Sequence, residues 1–129
     1  MPTGEPLSAR QRIDVERAMA QANATSGLTF SVYVGELSGG RSQAVRMLNS
    51  LANSASAVVI AVDPSRRQLE VVTGAVAARA LDERACSLGA LAMTSAFSQG
   101  DLVGGLVRGI QLLGSHGRHD RVLHTDEPA

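Results

Sequence analysis

The chain has 129 residues, and its twelve basic and twelve acidic side chains cancel, so no global field draws it to nucleic acid or to an anionic membrane. One domain of this length buries roughly two-thirds of its unfolded surface. Its aromatics are Phe30, Tyr33 and Phe97, so the core has to be built from small aliphatic residues, and a lone Cys86 excludes both an intramolecular disulfide and a cysteine metal cluster.

Residues 1–7 carry Pro2, Gly4 and Pro6 and read as a flexible N-terminus. They show no basic-then-apolar leader pattern, and no run approaches the ~20 apolar residues of a membrane span. Direct membrane insertion is therefore not expected, and the cytoplasm is the expected compartment. Ser8 and Gln11 fit a capping box, which starts a helix over residues 9–25 with Val15, Ala18, Met19 and Ala22 on one stripe. Gly27 suits its C-terminal stop. Residues 28–35 alternate, Phe30, Val32 and Val34 against Thr29, Ser31 and Tyr33, and predict a strand. A glycine-rich loop leads to a second helix over residues 41–53, with Ala44, Met47, Leu48 and Leu51 inward.

The stretch AVVIAVDPSRRQLEVVTG, residues 57–74, is the organising one. Its unbroken apolar run 57–62 is too short for a typical helix and suits a strand covered on both faces. Asp63-Pro64-Ser65 reverses the chain, because proline fixes φ and cannot donate to a ladder. Leu69, Val71 and Thr73 then share one face of an antiparallel partner. Residues 75–81 stay open between a turn of helix and a lining loop. Asp82 caps a third helix, 83–98, apolar almost all round and expected to be the most buried. Asp101 caps a fourth, 102–113, in which Gly105 and Gly109 each cost ~1 kcal/mol in propensity and so imply a close approach to a neighbour. Residues 115–129 turn polar and are expected to be a disordered tail. The fold class is α/β, a three-layer α/β/α sandwich around a small mixed sheet of three or four strands, occupying residues 8–114.

Few residues point to chemistry. The loop 35–41 joins strand to helix, where backbone N–H groups can hold an anion. It lacks the patterns of a P-loop or a dinucleotide site and reads chiefly as a flexible crossover. His116, His119 and His124 fall in the tail without a carboxylate or cysteine scaffold, and the core offers no histidine to act as a base. Cys86 has no histidine partner in the core. Asp63, Asp82 and Asp101 each stand at the end of an element. The simple reading gives each a local job, one opening a turn and two capping helices. The sharper reading has them converge with loop carbonyls on Ca²⁺ or Mg²⁺, which suit oxygen ligands.

The order of pieces resembles the TPM-domain family of thylakoid-lumen-phosphatase-like proteins, and most of all an actinobacterial branch of unknown function. Ser26-Gly27-Leu28, the Glu36-Leu37-Ser38-Gly39-Gly40 loop, the 57–74 hairpin, Leu81-Asp82 and the FSQGDLVGGL segment at 97–106 carry the likeness, which covers residues 7–114. It implies the same sandwich and a shallow acidic cleft that in some members takes Ca²⁺ and is linked to weak acid phosphatase activity. Asp63, Asp82 and Asp101 match the acidic positions. The loop after the hairpin, Gly74-Ala75-Val76-Ala77-Ala78, brings no polar ligand.

Three functions are carried forward. The first is a TPM-like protein-interaction or accessory module, without established catalysis, with a homodimer as one form of that contact. The second is a Ca²⁺- or Mg²⁺-binding domain with weak acid phosphatase activity through Asp63, Asp82 and Asp101. The third is a structural partner of a cell-envelope complex. No catalytic residue is assigned.

Overall fold

The computed structural model describes residues 7–126, with side chains to Arg118. Its elements are α1 (Ala9–Ser26), β1 (Thr29–Val34), α2 (Gly40–Asn49), a 3-10 turn (Ser54–Ser56), β2 (Ala57–Asp63), β3 (Gln68–Thr73), α3 (Ala77–Ala80), α4 (Glu83–Phe97) and α5 (Leu102–Asp126). The sheet order is β1-β2-β3, with β1 parallel and β3 antiparallel to β2. Of the N-terminus expected to be flexible, residues 1–6 lie outside the described residues, and Leu7 packs against the core.

Every residue of β2 is buried. Val58, Ile60 and Val62 face one layer, with Phe30, Val71, Leu106, Ile110 and Leu113. Ala57, Val59 and Ala61 face the other, where α2 supplies Ala44 and Leu48 and the loop before it supplies Leu37. Covering a valine or isoleucine completely stabilises by about 1.5–3 kcal/mol, so a strand with apolar residues on both faces is stable only between two layers. The sandwich is the expected one, with three strands.

The connections are held by side chains as well as backbone. Ser8 and Gln11 form the capping box on α1, at 3.1 and 2.9 Å. At its other end the Ser26 hydroxyl donates to the Ala22 carbonyl at 2.6 Å and accepts from the Leu28 N–H at 3.1 Å. The Phe30 N–H donates to Asn23 Oδ1 at 2.8 Å, which ties α1 to β1. The hairpin turn leaves Arg67 at φ 55°, a left-handed conformation in which an L side chain crowds its own backbone, at a cost of about 1–2 kcal/mol.

Two expectations about the helices need correction. The most deeply set helix is α5, whose Leu106, Ile110 and Leu113 are wholly buried. By contrast, α4 buries Ala85, Gly89, Met93 and Ala96 but leaves Leu88 and Leu91 exposed. A helix on the outer layer of a three-layer sandwich needs only one covered stripe, and these two leucines fall outside it. The second correction concerns the tail: the helix expected to end at residue 113 runs on to Asp126, while residues 127–129 lie outside the described residues.

Glycine explains both points. A Cβ on Gly105 would stand 2.7 Å from the Phe97 ring and 3.0 Å from Ala96, and Gly109 seats Met93, so α4 lies close against α5. On the α1 side, a Cβ on Gly114 would meet the Ala22 Cβ at 2.9 Å and one on Gly117 the Ser26 Cβ at 2.8 Å. The buried stripe thus passes from leucines to glycines after Leu113, and an argument from large apolar residues stops too early.

Gly114→Val places branched carbons where Ala22 already stands and should cost about 1–3 kcal/mol through overpacking. Urea denaturation measures it, and an unchanged midpoint would mean that this part of α5 does not rest on α1.

Candidate functional site

Asp63 ends β2 and is 2% exposed. Its Oδ2 accepts the Leu37 N–H at 3.0 Å, and its Oδ1 accepts the Ser65 hydroxyl at 2.8 Å and the Arg66 N–H at 3.3 Å. The Arg66 Nε lies 3.9 Å from Oδ2. These donors, the Leu37 N–H foremost and the Ser65 hydroxyl next, hold the carboxyl below its ordinary value despite burial. The aspartate therefore opens the turn, as its position before proline predicts, and also anchors the β1–α2 loop from 26 residues away.

That anchor corrects the picture of residues 35–41 as a flexible crossover. Leu37 is wholly buried beneath α2. The Gly39 N–H donates to Gln43 Oε1 at 2.8 Å, the Gly40 N–H to the Leu37 carbonyl at 3.0 Å, and Gln43 Nε2 to the Glu36 carbonyl at 2.9 Å. Three of the N–H groups that would cradle an anion are spent within the protein.

Asp82 caps α4, its Oδ1 accepting the Ala85 N–H at 2.9 Å. Asp101 stands before α5 and accepts the Gly104 N–H at 2.9 Å. Both follow the N-cap logic seen in the sequence. Among the described residues, no three histidine, cysteine or acidic side chains come together as a metal-holding group, so the structure does not gather Asp63, Asp82 and Asp101 into one site. His116 is exposed on α5, and the side chains of His119 and His124 lie outside the described residues. The half-buried Cys86 thiol is raised by burial and then by nearby Asp82, with Arg41 opposing, so little thiolate forms near neutral pH.

What the structure does bring together is a cleft of about 490 Å³ between the hairpin and the α4–α5 corner. The hairpin contributes Val62, Pro64, Arg67, Gln68 and Leu69. The corner contributes Thr94, Phe97, Ser98, Gly100 and Leu102. Most of this lining is hydrocarbon. Thr94 and Ser98 turn their hydroxyls back to the Leu91 and Ser95 carbonyls, at 3.2 and 2.7 Å. Gln68 is different: its Oε1 is buried, and no donor among the described residues reaches it. Such an acceptor costs about 1–3 kcal/mol while unpaired. The cleft opens at the carboxyl end of β2, the end where open α/β sheets place their ligands. Sequence reasoning missed it, since its two halves are some thirty residues apart by the numbering of Gln68 and Ser98. The one readable sign was an arginine ending a turn where glycine is the usual choice.

The chain belongs to the family described as a domain of unknown function, DUF5130, whose model matches residues 1–114. It is 32% identical over 111 residues to the uncharacterized proteins Rv2468c and MT2543 of two Mycobacterium tuberculosis strains, H37Rv and CDC 1551. The match covers 84% of this chain and 65% of either relative, so the chain spans less than two-thirds of their length. The fold is shared with the BA42 protein of the psychrophilic bacterium Bizionia argentinensis, at a TM-score of 0.79 and 18% identity, covering 88% of this chain and 83% of that one. It is also shared with the N-terminal domain of the cg2496 protein of Corynebacterium glutamicum, at a TM-score of 0.73 and 19% identity, covering 88% and 75%. At these identities the structural likeness concerns the fold. The family shown is DUF5130, and the TPM likeness rests on the sequence motifs.

Two outcomes test the carboxylate assignments. Asp82→Ala and Asp101→Ala should each cost about 0.5–2 kcal/mol, and the double variant should equal their sum within about 0.5 kcal/mol. The loss in thermal melts should be the same with and without Ca²⁺; a Ca²⁺-dependent gain that either substitution abolishes would place the pair in one ion site. For Asp63 the folded value lies below the ordinary 3.8. Its contribution is therefore complete above that value and fades as pH falls through the lower, folded one. Asp63→Asn should lower the neutral-pH midpoint and flatten the acid limb of the stability profile, and an unchanged limb would mean that the Leu37 contact carries no weight.

Proposed function

We propose that the chain is an accessory module that works by binding another protein, with the cleft between the hairpin and the α4–α5 corner as its point of contact. The observation that carries this reading is the cleft of about 490 Å³, walled mostly by hydrocarbon, that stays open between the hairpin and the α4–α5 corner. The volume is in the range of ligand-binding clefts, and hydrocarbon walls with a few polar groups are their common composition.

The TPM resemblance supports a module of this kind and also suggests a Ca²⁺- or Mg²⁺-linked phosphatase. The binding reading is preferred because Asp63, Asp82 and Asp101 are already engaged by backbone N–H groups. None of the described helices is long and apolar enough to cross a membrane. A cytoplasmic setting belongs to the same proposal, as do the partner and the role of the longer relatives.

A photo-crosslinking residue at Thr94, on the cleft, and the same residue at Gln43, on the opposite layer, test this in cells carrying the full chain. The expected result is an adduct with one other protein from position 94, absent from position 43 and lost with Gln68→Leu. No adduct, an adduct indifferent to Gln68, or one of twice the chain's mass would overturn the reading, the last in favour of a second copy as occupant.

A further inference from the structure

The cleft sets three chemistries side by side. Leu69, Phe97 and Leu102 form an apolar wall, the half-buried Gln68 brings a side-chain amide, and Arg67 stands exposed at the rim. Arg67 and Gln68 are consecutive, yet both line the cleft. In an extended strand neighbouring side chains alternate between faces, and the left-handed Arg67 breaks that alternation. Among the described residues the Arg67 guanidinium has no carboxylate within ion-pairing distance, while Arg66 lies near Asp63 and Arg41 is paired with Glu70 at 3.1 Å.

On the reading of the cleft as a protein-contact site, we infer that it receives the free C-terminus of a partner chain ending in an aliphatic residue. One terminal residue carries all three complements: a side chain for the apolar wall, a backbone amide for the amide of Gln68, and a carboxylate for Arg67. An internal apolar segment lacks the carboxylate, and a fatty acid lacks the backbone amide. The planar guanidinium matches a carboxylate with two parallel hydrogen bonds, the strong form of this contact. Of the opposing charges close in sequence to the lining, Asp63 is buried under its own N–H donors and Glu70 is paired with Arg41; the third is Asp101, beside the cleft's Gly100 and Leu102. It is exposed and already accepts the Gly104 N–H, so solvent screens it. About 490 Å³ admits one or two residues, which sets the length of the segment read.

Calorimetric and ¹⁵N NMR titrations of the full chain with acetyl-Ala-Val-Leu, as the free acid and as the C-terminal amide, test the inference. The acid should bind with shifts at Gln68, Leu69, Phe97 and Leu102, and the amide at least about tenfold more weakly, the usual worth of one charged hydrogen bond. Arg67→Gly relieves the left-handed backbone and so should fold at least as well, yet it should bind acid and amide equally. Gln68→Leu should weaken both ligands while keeping the preference for acid. Equal binding of acid and amide to the unaltered chain, or a preference that survives in Arg67→Gly, would overturn the terminus while leaving the cleft as a contact site. Acetyl-leucine binding as tightly as the tripeptide would assign the site to a small acylated amino acid instead. Shifts confined to the exposed Leu88–Leu91 side of α4 would overturn both readings, because the cleft itself would then be silent.

Discussion

The structure depends on β2 being closed off from water on both faces and both edges. A seven-residue strand with no exposed position demands a neighbour on each side and a helical layer above and below. The two layers it recruits are unequal because its faces are unequal. Ala57 and Ala61 are small, so α2 alone can cover that side. Val58, Ile60 and Val62 present a broader surface, which α1, α4 and α5 share. Asp63 marks where the strand leaves the core, and its carboxylate fixes the β1–α2 loop against that end. The cleft begins at the same point, because the chain reverses there and the corner between α4 and α5 does not close over the turn.

Most of this was legible from residues 57–74. An apolar run too short for a helix, followed by Asp-Pro and an alternating partner, implies a central strand and a hairpin, and the strand–helix–strand order that leads into it implies a parallel pair. The capping residues Ser8, Asp82 and Asp101 do what their spacing says. The far half of α5 was not legible. Its contact surface is written in Gly114 and Gly117, and glycine scores as a helix breaker in any local reading. Only the closeness of α1 shows why a side chain there would be a fault. The exposed Leu88 and Leu91 mislead in the opposite direction, since an apolar helix looks central when nothing tells which stripe is covered.

The site was less legible than the fold, for a physical reason. Caps and turns are local, and a carboxylate three residues from its N–H can be read from spacing. The cleft arises from two corners brought together by tertiary packing, and its most informative atom is an amide oxygen defined by what fails to reach it. Arg67 is the partial exception, because an arginine stands where the turn's positive φ favours glycine or asparagine. The three aspartates drew attention by their type. The structure spends each on backbone N–H groups, and it leaves the unmet hydrogen-bonding capacity with a glutamine.

A single observation bears most directly on the cleft as a receptor for an aliphatic chain terminus: isotope-filtered NOEs between bound acetyl-Ala-Val-Leu and the labelled protein. If that role is right, the terminal leucine methyls show NOEs to Leu69, Phe97 and Leu102, and the preceding N–H to the side chain of Gln68. Ligand methyl NOEs to Leu88 and Leu91, with none to the hairpin, would contradict it.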